Sequence, residues 1–163
     1  MSTPGDDRKN VVLVAVTDSP AAFAAALVAI EFCRRVGAVL RVVTVLEPPG
    51  PGDHMVGIDP HVLAERRELS ARAALSHVSA TGARAGIEVS GVVRAGSVSA
   101  EILAEARTAR AFLIVMARVS RADHALASVG SHTLRVLEFA DVPVLVVPPS
   151  RARASAVIAD RRE

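Results

Sequence analysis

Two unbroken apolar runs decide the fold of this chain: Phe112-Leu113-Ile114-Val115-Met116-Ala117, and Val142-Pro143-Val144-Leu145-Val146-Val147-Pro148. Strands that alternate apolar and polar residues have one wet face. Strands that read as continuous runs are buried on both faces, as in a parallel sheet whose crossovers lie above and below it. A polar loop and a short helical segment separate the two runs, and the helix is entered at Gly130-Ser131-His132. In open α/β sheets ligands sit beyond the carboxyl ends of the strands. A helix that starts there offers unpaired N–H groups to an anion. The segment therefore points to a fold and to a place for a phosphate.

The same alternation continues upstream. Residues 11–16 are a strongly apolar run and read as a central strand. Thr17-Asp18-Ser19-Pro20 supplies N-cap residues ahead of a proline at the first helical position. The helix predicted there runs to Gly37, a suitable C-cap, with Phe23, Leu27 and Ile30 on one face. Residues 39–45 read as the second strand. Pro48-Pro49-Gly50-Pro51-Gly52 marks a mobile linker. Asp59-Pro60 restarts a helix to about residue 80 with an imperfect stripe: Val62, Leu69 and Ala73 share a face, while Leu75 and Val78 lie elsewhere. Residues 87–94 read as strand three. Gly96-Ser97 caps a third helix carrying Val98, Ile102, Ala106 and Ala109 at helical spacing. Residues 112–116, 130–139 and 142–147 complete strand four, helix four and strand five. The order βαβαβαβαβ predicts an α/β fold: a single open, doubly wound, five-stranded parallel sheet of Rossmann-like form, with right-handed crossovers and helices on both faces.

At 163 residues the chain suits one domain, placed at residues 10–148, with a disordered leader at 1–9 and a flexible Arg-rich tail at 149–163. Apolar residues make up 51% of the chain, enough for a sizeable core. The net charge of +2 is carried by the tail alone, through Arg151, Arg153, Arg161 and Arg162 against Asp160 and Glu163. A neutral body is a poor footprint for nucleic acid. With four Phe and no Trp or Tyr there are few platforms for stacking bases or a flavin. Cys33 is the only cysteine, so no internal disulfide forms, and its apolar neighbours suggest inert packing. No apolar run approaches about 18 residues, and the first residues do not read as a signal peptide, so a soluble cytoplasmic protein without membrane contact is expected.

The frame around the last third resembles the universal stress protein family. That family carries a strand ending Met-Gly, then Gly, two residues, Gly, nine residues and Gly-Ser/Thr, then a helix and a Pro-Val-Leu-Val-Val strand. This chain reads Met116-Ala117-Arg118-Val119-Ser120, nine residues, Gly130-Ser131, and closes on Pro143 to Val147. Gly37 and Gly96 also stand where the family has them. The resemblance implies strand order 3-2-1-4-5 and a regulatory or stress-protection role without catalysis. It implies an adenine nucleotide, ATP with Mg, across the carboxyl ends of strands one and four. Thr17 or Asp18 and the Val45 backbone would take base and ribose. Met116, Ala117, Arg118 and Ser120 would flank sugar and phosphates, and Gly130, Ser131 and His132 would hold the phosphates. It also implies a homodimer in which the edge strand, with Val142, Val144, Val146 and Val147, pairs with its copy.

Two departures bear on the nucleotide. Ala117 and Ser120 replace the loop glycines. A non-Gly residue forced to positive φ costs about 1–2 kcal/mol, about tenfold in affinity per position. The family's acidic residue at the end of strand one aligns with Thr17, and Asp18 is one residue on. Arg118 and Arg121, with His124 and His132, offer a compensating charge, since an arginine can fork onto a phosphate. The alternatives are a nucleotide-free dimeric interaction module or a weak ATP hydrolase. Asp123, His124, Ser128, Ser131 and His132 lie close in sequence, but no Gly-x-Ser-x-Gly elbow accompanies them, and surface polarity explains them more simply. A flavodoxin-like carrier lacks its aromatic residues. A receiver domain lacks its acidic cluster and its lysine after strand five, because Lys9 is the only lysine. His54, His61 and His77 show no metal-ligand spacing.

Overall fold

The computed structural model describes residues 9–48, 59–118 and 130–149. They form β1 (Val11–Ala15), α1 (Pro20–Val36), β2 (Val39–Leu46), α2 (Pro60–Arg84), β3 (Val89–Ala95), α3 (Val98–Thr108), β4 (Ala111–Ala117), α4 (Ser131–Phe139) and β5 (Val144–Val147). All the strand pairs are parallel, and the sheet order is β3-β2-β1-β4-β5. Residues 1–8 of the leader, residues 49–58 of the Pro/Gly linker, the loop residues Ser120, Arg121, Asp123, His124 and Ser128, and residues 150–163 of the tail lie outside the described residues.

Alternation along the central strands fills two cores. Val12 and Val14 of β1, Leu40 and Val42 of β2, and Leu113 and Val115 of β4 meet α1 and α2 on one face. Leu13, Val43, Ile114 and Met116 meet Ile102, Leu103 and Ala106 of α3 and Val136 of α4 on the other. β1 is the middle strand, and its Val12, Leu13 and Val14 have no solvent exposure.

The ends of α1 follow the sequence. Ser19 is the N-cap, its hydroxyl accepting from the Ala22 N–H, and Gly37 is a left-handed C-cap. The buried faces of α1 and α2 differ from the expected stripes. Leu27 is 55% exposed; of the expected face Ile30 is buried and Phe23 packs partly buried against the core, and α1 otherwise buries Ala22, Ala25, Ala26, Ala29 and Cys33. On α2, Val62 and Leu69 face solvent, Leu69 at 66% exposure, and Ala71, Ala74, Val78 and Gly82 face the sheet. Small residues win because they let a helix lie close on the sheet, where more backbone and strand surface comes into contact. α2 runs to Arg84, one turn beyond the expected end, and β3 begins at Val89, two residues late.

At the far edge, β5 pairs among the described residues with β4 alone. Its side chains are less exposed than the sequence suggested. Val147 joins the α1-side core, Val142 and Val144 pack against the α3–α4 side, and Leu145 is the large side chain left open. Among the described residues no helix is long and apolar enough to cross a membrane.

Candidate functional site

The carboxyl ends of β1, β2 and β4 open on one side of the molecule, where β1 lies between its two neighbours and the crossovers leave in opposite directions. This reversal of winding leaves a crevice in doubly wound sheets. An inner recess of about 140 Å³ opens there, with Thr17, Val45, Met116, Ala117 and His132 among its lining. Three helices begin against it: α1 through Ser19 and Ala22, α3 through Val98 and Ile102, and α4 through His132 and Thr133. The first turn of each helix has N–H groups without intrahelical partners. On α1 the Ser19 side chain satisfies one of them, whereas neither Ser97 before α3 nor Gly130 before α4 makes a side-chain cap. The positive ends of three helix dipoles thus converge on a recess whose walls are otherwise largely apolar.

A larger outer cleft of about 670 Å³ shares Thr17 and Val45 with the recess and extends to α2, where Arg66, Arg67 and Ser70 line it. Asp18 belongs to this outer cleft. Its Oδ2 accepts a hydrogen bond from the Ser70 hydroxyl at 3.0 Å. Thr17, whose hydroxyl lies 3.1 Å from that of Ser19, borders both spaces. Between the two residues the sequence left open, Thr17 is the one at the junction.

The other candidate residues divide as follows. Gly130 is the N-cap of α4 and Ser131 its first helical residue; neither lines the recess. Arg118 follows β4, its N–H bonded to the Val147 carbonyl, and its Nε is buried without a hydrogen-bond partner among the described residues. Ala117 is the last residue of β4 and has negative φ, since Arg110 is the one non-glycine with positive φ among the described residues. The strain expected of a loop glycine replacement is therefore absent at Ala117, and its methyl group acts only by filling space.

A buried ion network braces the α3 side. Glu105 is 2% exposed and accepts from Arg41 of β2 and Arg94 of β3, each at 2.7 Å, while Arg94 also donates to Glu101 at 2.6 Å. The two carboxylates hold the Arg94 guanidinium in its charged form. Gly96 makes the turn into α3 at φ +143, and a Cβ there would sit 2.9 Å from Glu101 Oε1. Across the mouth, Glu47 Oε1 lies 3.8 Å from His132 Nε2. Among the described residues no group of three or more His, Cys, Asp or Glu side chains is arranged to hold a metal.

The family model of the universal stress proteins matches residues 10–148. The chain belongs to the universal stress protein family. UspA from Lactobacillus plantarum is 25% identical and superposes with a TM-score of 0.73, covering 87% of this chain and 99% of its own. A universal stress family protein from Burkholderia pseudomallei is 26% identical, with a TM-score of 0.69 over 89% of this chain and 99% of that one. The Archaeoglobus fulgidus universal stress protein in complex with dAMP is 20% identical, with a TM-score of 0.61 over 85% and 97% of the two chains, a likeness of fold alone. No curated protein matches the sequence. Within this universal stress fold, sequence reasoning missed Glu47, Ser70 and the start of α3. Their signal was positional: Glu47 follows β2 directly, and α3 begins shortly after the carboxyl end of β3.

Proposed function

We propose that this universal stress protein is a cytoplasmic regulatory or protective module that binds an adenine nucleotide, ATP with Mg, without turning it over. The observation that carries the reading is the convergence of three helix N-termini with Thr17, Val45, Met116 and Ala117 around one crevice. The base lies over Thr17 and Val45, where the recess meets the outer cleft. The sugar passes Met116 and Ala117. The phosphates run towards the first turn of α4, where Gly130, Ser131 and His132 offer N–H groups, with Arg118 adding positive charge and Ser120 following in the loop. The nucleotide bound by the Archaeoglobus relative supports an adenine ligand here. Isothermal calorimetry with ATP and magnesium tests the reading: saturable heat at one site per chain supports it, and no heat at millimolar nucleotide rejects it. Steady release of phosphate would overturn the non-catalytic part.

The occupied glycine positions favour a second reading, a nucleotide-free interaction module, which predicts the silent calorimetry trace. Either way, among the described residues β5 is an edge strand, and edges of this kind join to another strand unless blunted. We place the contact of a homodimer there, through Val142, Val144, Val146 and Val147. A sedimentation experiment that finds only monomer at micromolar concentration removes the dimer.

A further inference from the structure

Glu47 stands one residue beyond β2, and its carboxylate reaches across the crevice mouth to His132. The 3.8 Å separation is too long for a hydrogen bond and is a charge contact only when the imidazole is protonated. The two side chains suit opposite ends of a ligand. An ionised carboxylate accepts hydrogen bonds and repels phosphate. The imidazole and the first turn of α4 attract phosphate. A nucleotide whose phosphates reach His132 and the first turn of α4 brings its sugar beside the carboxylate.

We infer that Glu47 reads the ribose of the bound nucleotide, accepting hydrogen bonds from the sugar hydroxyls and making the crevice prefer a ribonucleotide to its 2′-deoxy counterpart. The inference rests on the nucleotide reading above. Position supports it: in dinucleotide-binding doubly wound sheets an acidic side chain about 20 residues beyond the first βα turn takes the ribose 2′-hydroxyl, and Glu47 also follows that turn, immediately past β2. Elimination supports it as well. Asp18, the other carboxylate lining the outer cleft, already accepts from Ser70, and the recess lining apart from His132 carries no charged side chain. The acidic groups of α3 are engaged elsewhere, Glu101 with Arg94 and Glu105 with Arg41 and Arg94.

The test compares dissociation constants of AMP and 2′-deoxy-AMP, by calorimetry, for the wild type, Glu47→Ala and Glu47→Gln. A hydrogen bond to a charged acceptor sets the expected preference of the wild type for AMP at about tenfold or more. Glu47→Ala should bring the two constants within about twofold, weakening AMP and leaving 2′-deoxy-AMP unchanged or tighter. Glu47→Gln keeps an acceptor and should fall between. An unshifted thermal midpoint in both variants, expected for an exposed side chain beyond its strand, separates recognition from folding. Equal constants in the wild type, or a ratio untouched by Glu47→Ala, overturn the assignment and leave nucleotide binding standing. Failure of both nucleotides to bind overturns the two together.

Discussion

Removing Glu105 tests how the site is braced. Its carboxylate is 2% exposed and accepts from two arginines on neighbouring strands, Arg41 at 27% and Arg94 at 28% side-chain exposure. Breaking a fully buried pair costs about 3–5 kcal/mol, because the surviving charge stays desolvated. Here the arginines reach water in part and can turn outward, and Arg94 keeps Glu101. The cost of Glu105→Ala is therefore about 2–3 kcal/mol, loss of packing included. For a domain of this size that lowers the melting temperature by about 5–10 °C. Glu105→Gln keeps the shape and should lose most of the same amount, which isolates the charge. The triple replacement of Glu105, Arg41 and Arg94 by methionine should recover much of the loss, since well-packed apolar groups substitute for buried ion networks. Urea unfolding followed by circular dichroism gives the free energies. A change below about 0.5 kcal/mol for Glu105→Ala would refute the reasoning, and the network would then be no more than a surface decoration.

Three further outcomes are expected. Gly96→Ala should destabilise the fold by about 1–3 kcal/mol in the same unfolding assay, because φ there is +143 and the new methyl would crowd Glu101 off Arg94. Burial pushes the Cys33 thiol up to about 11, so a thiol reagent at pH 8 should modify it only after unfolding. Because the unfolded chain loses that proton first, stability should decline as pH rises from about 9 towards about 11, and a flat profile in Cys33→Ala would tie the decline to this group. Ala117→Leu should fill the recess and weaken ATP binding by about tenfold or more with little change in melting temperature, whereas unchanged affinity would place the nucleotide elsewhere.

The strand pattern was legible because strands buried on both faces leave continuous apolar runs, and residues 12–14, 113–116 and 144–147 all lie where those runs put them. Helix faces were harder to read. Leu27, Val62 and Leu69 are conspicuous in the sequence, yet beside Ile30, Cys33 and Val78 the helices α1 and α2 bury alanines and a glycine, since closeness to the sheet outweighs side-chain size. The α3 network was invisible for another reason: Glu105 and Arg41 are 64 residues apart, and only the fold shows that they meet. Among the candidate residues, Met116, Ala117 and His132 line one recess with Thr17 and Val45, the neighbourhood that the spacing from Met116 to His132 implied. Glu47 stands directly before the Pro/Gly stretch at residues 48–52, where nothing in the sequence marks it for the site. The different surroundings of Thr17 and Asp18 were not legible, because Ser70, which bonds Asp18, comes from a helix the sequence could not place over the crevice.

The central claim is that an adenine nucleotide lies over the carboxyl ends of β1, β2 and β4. Titrating the isotopically labelled protein with ATP and magnesium, and following each backbone amide by NMR, tests it most directly. The account predicts saturable shifts centred on Thr17, Val45, Ala117 and His132, with the amides at the opposite ends of the strands unmoved. Shifts that map to another face, or none at millimolar nucleotide, would contradict it.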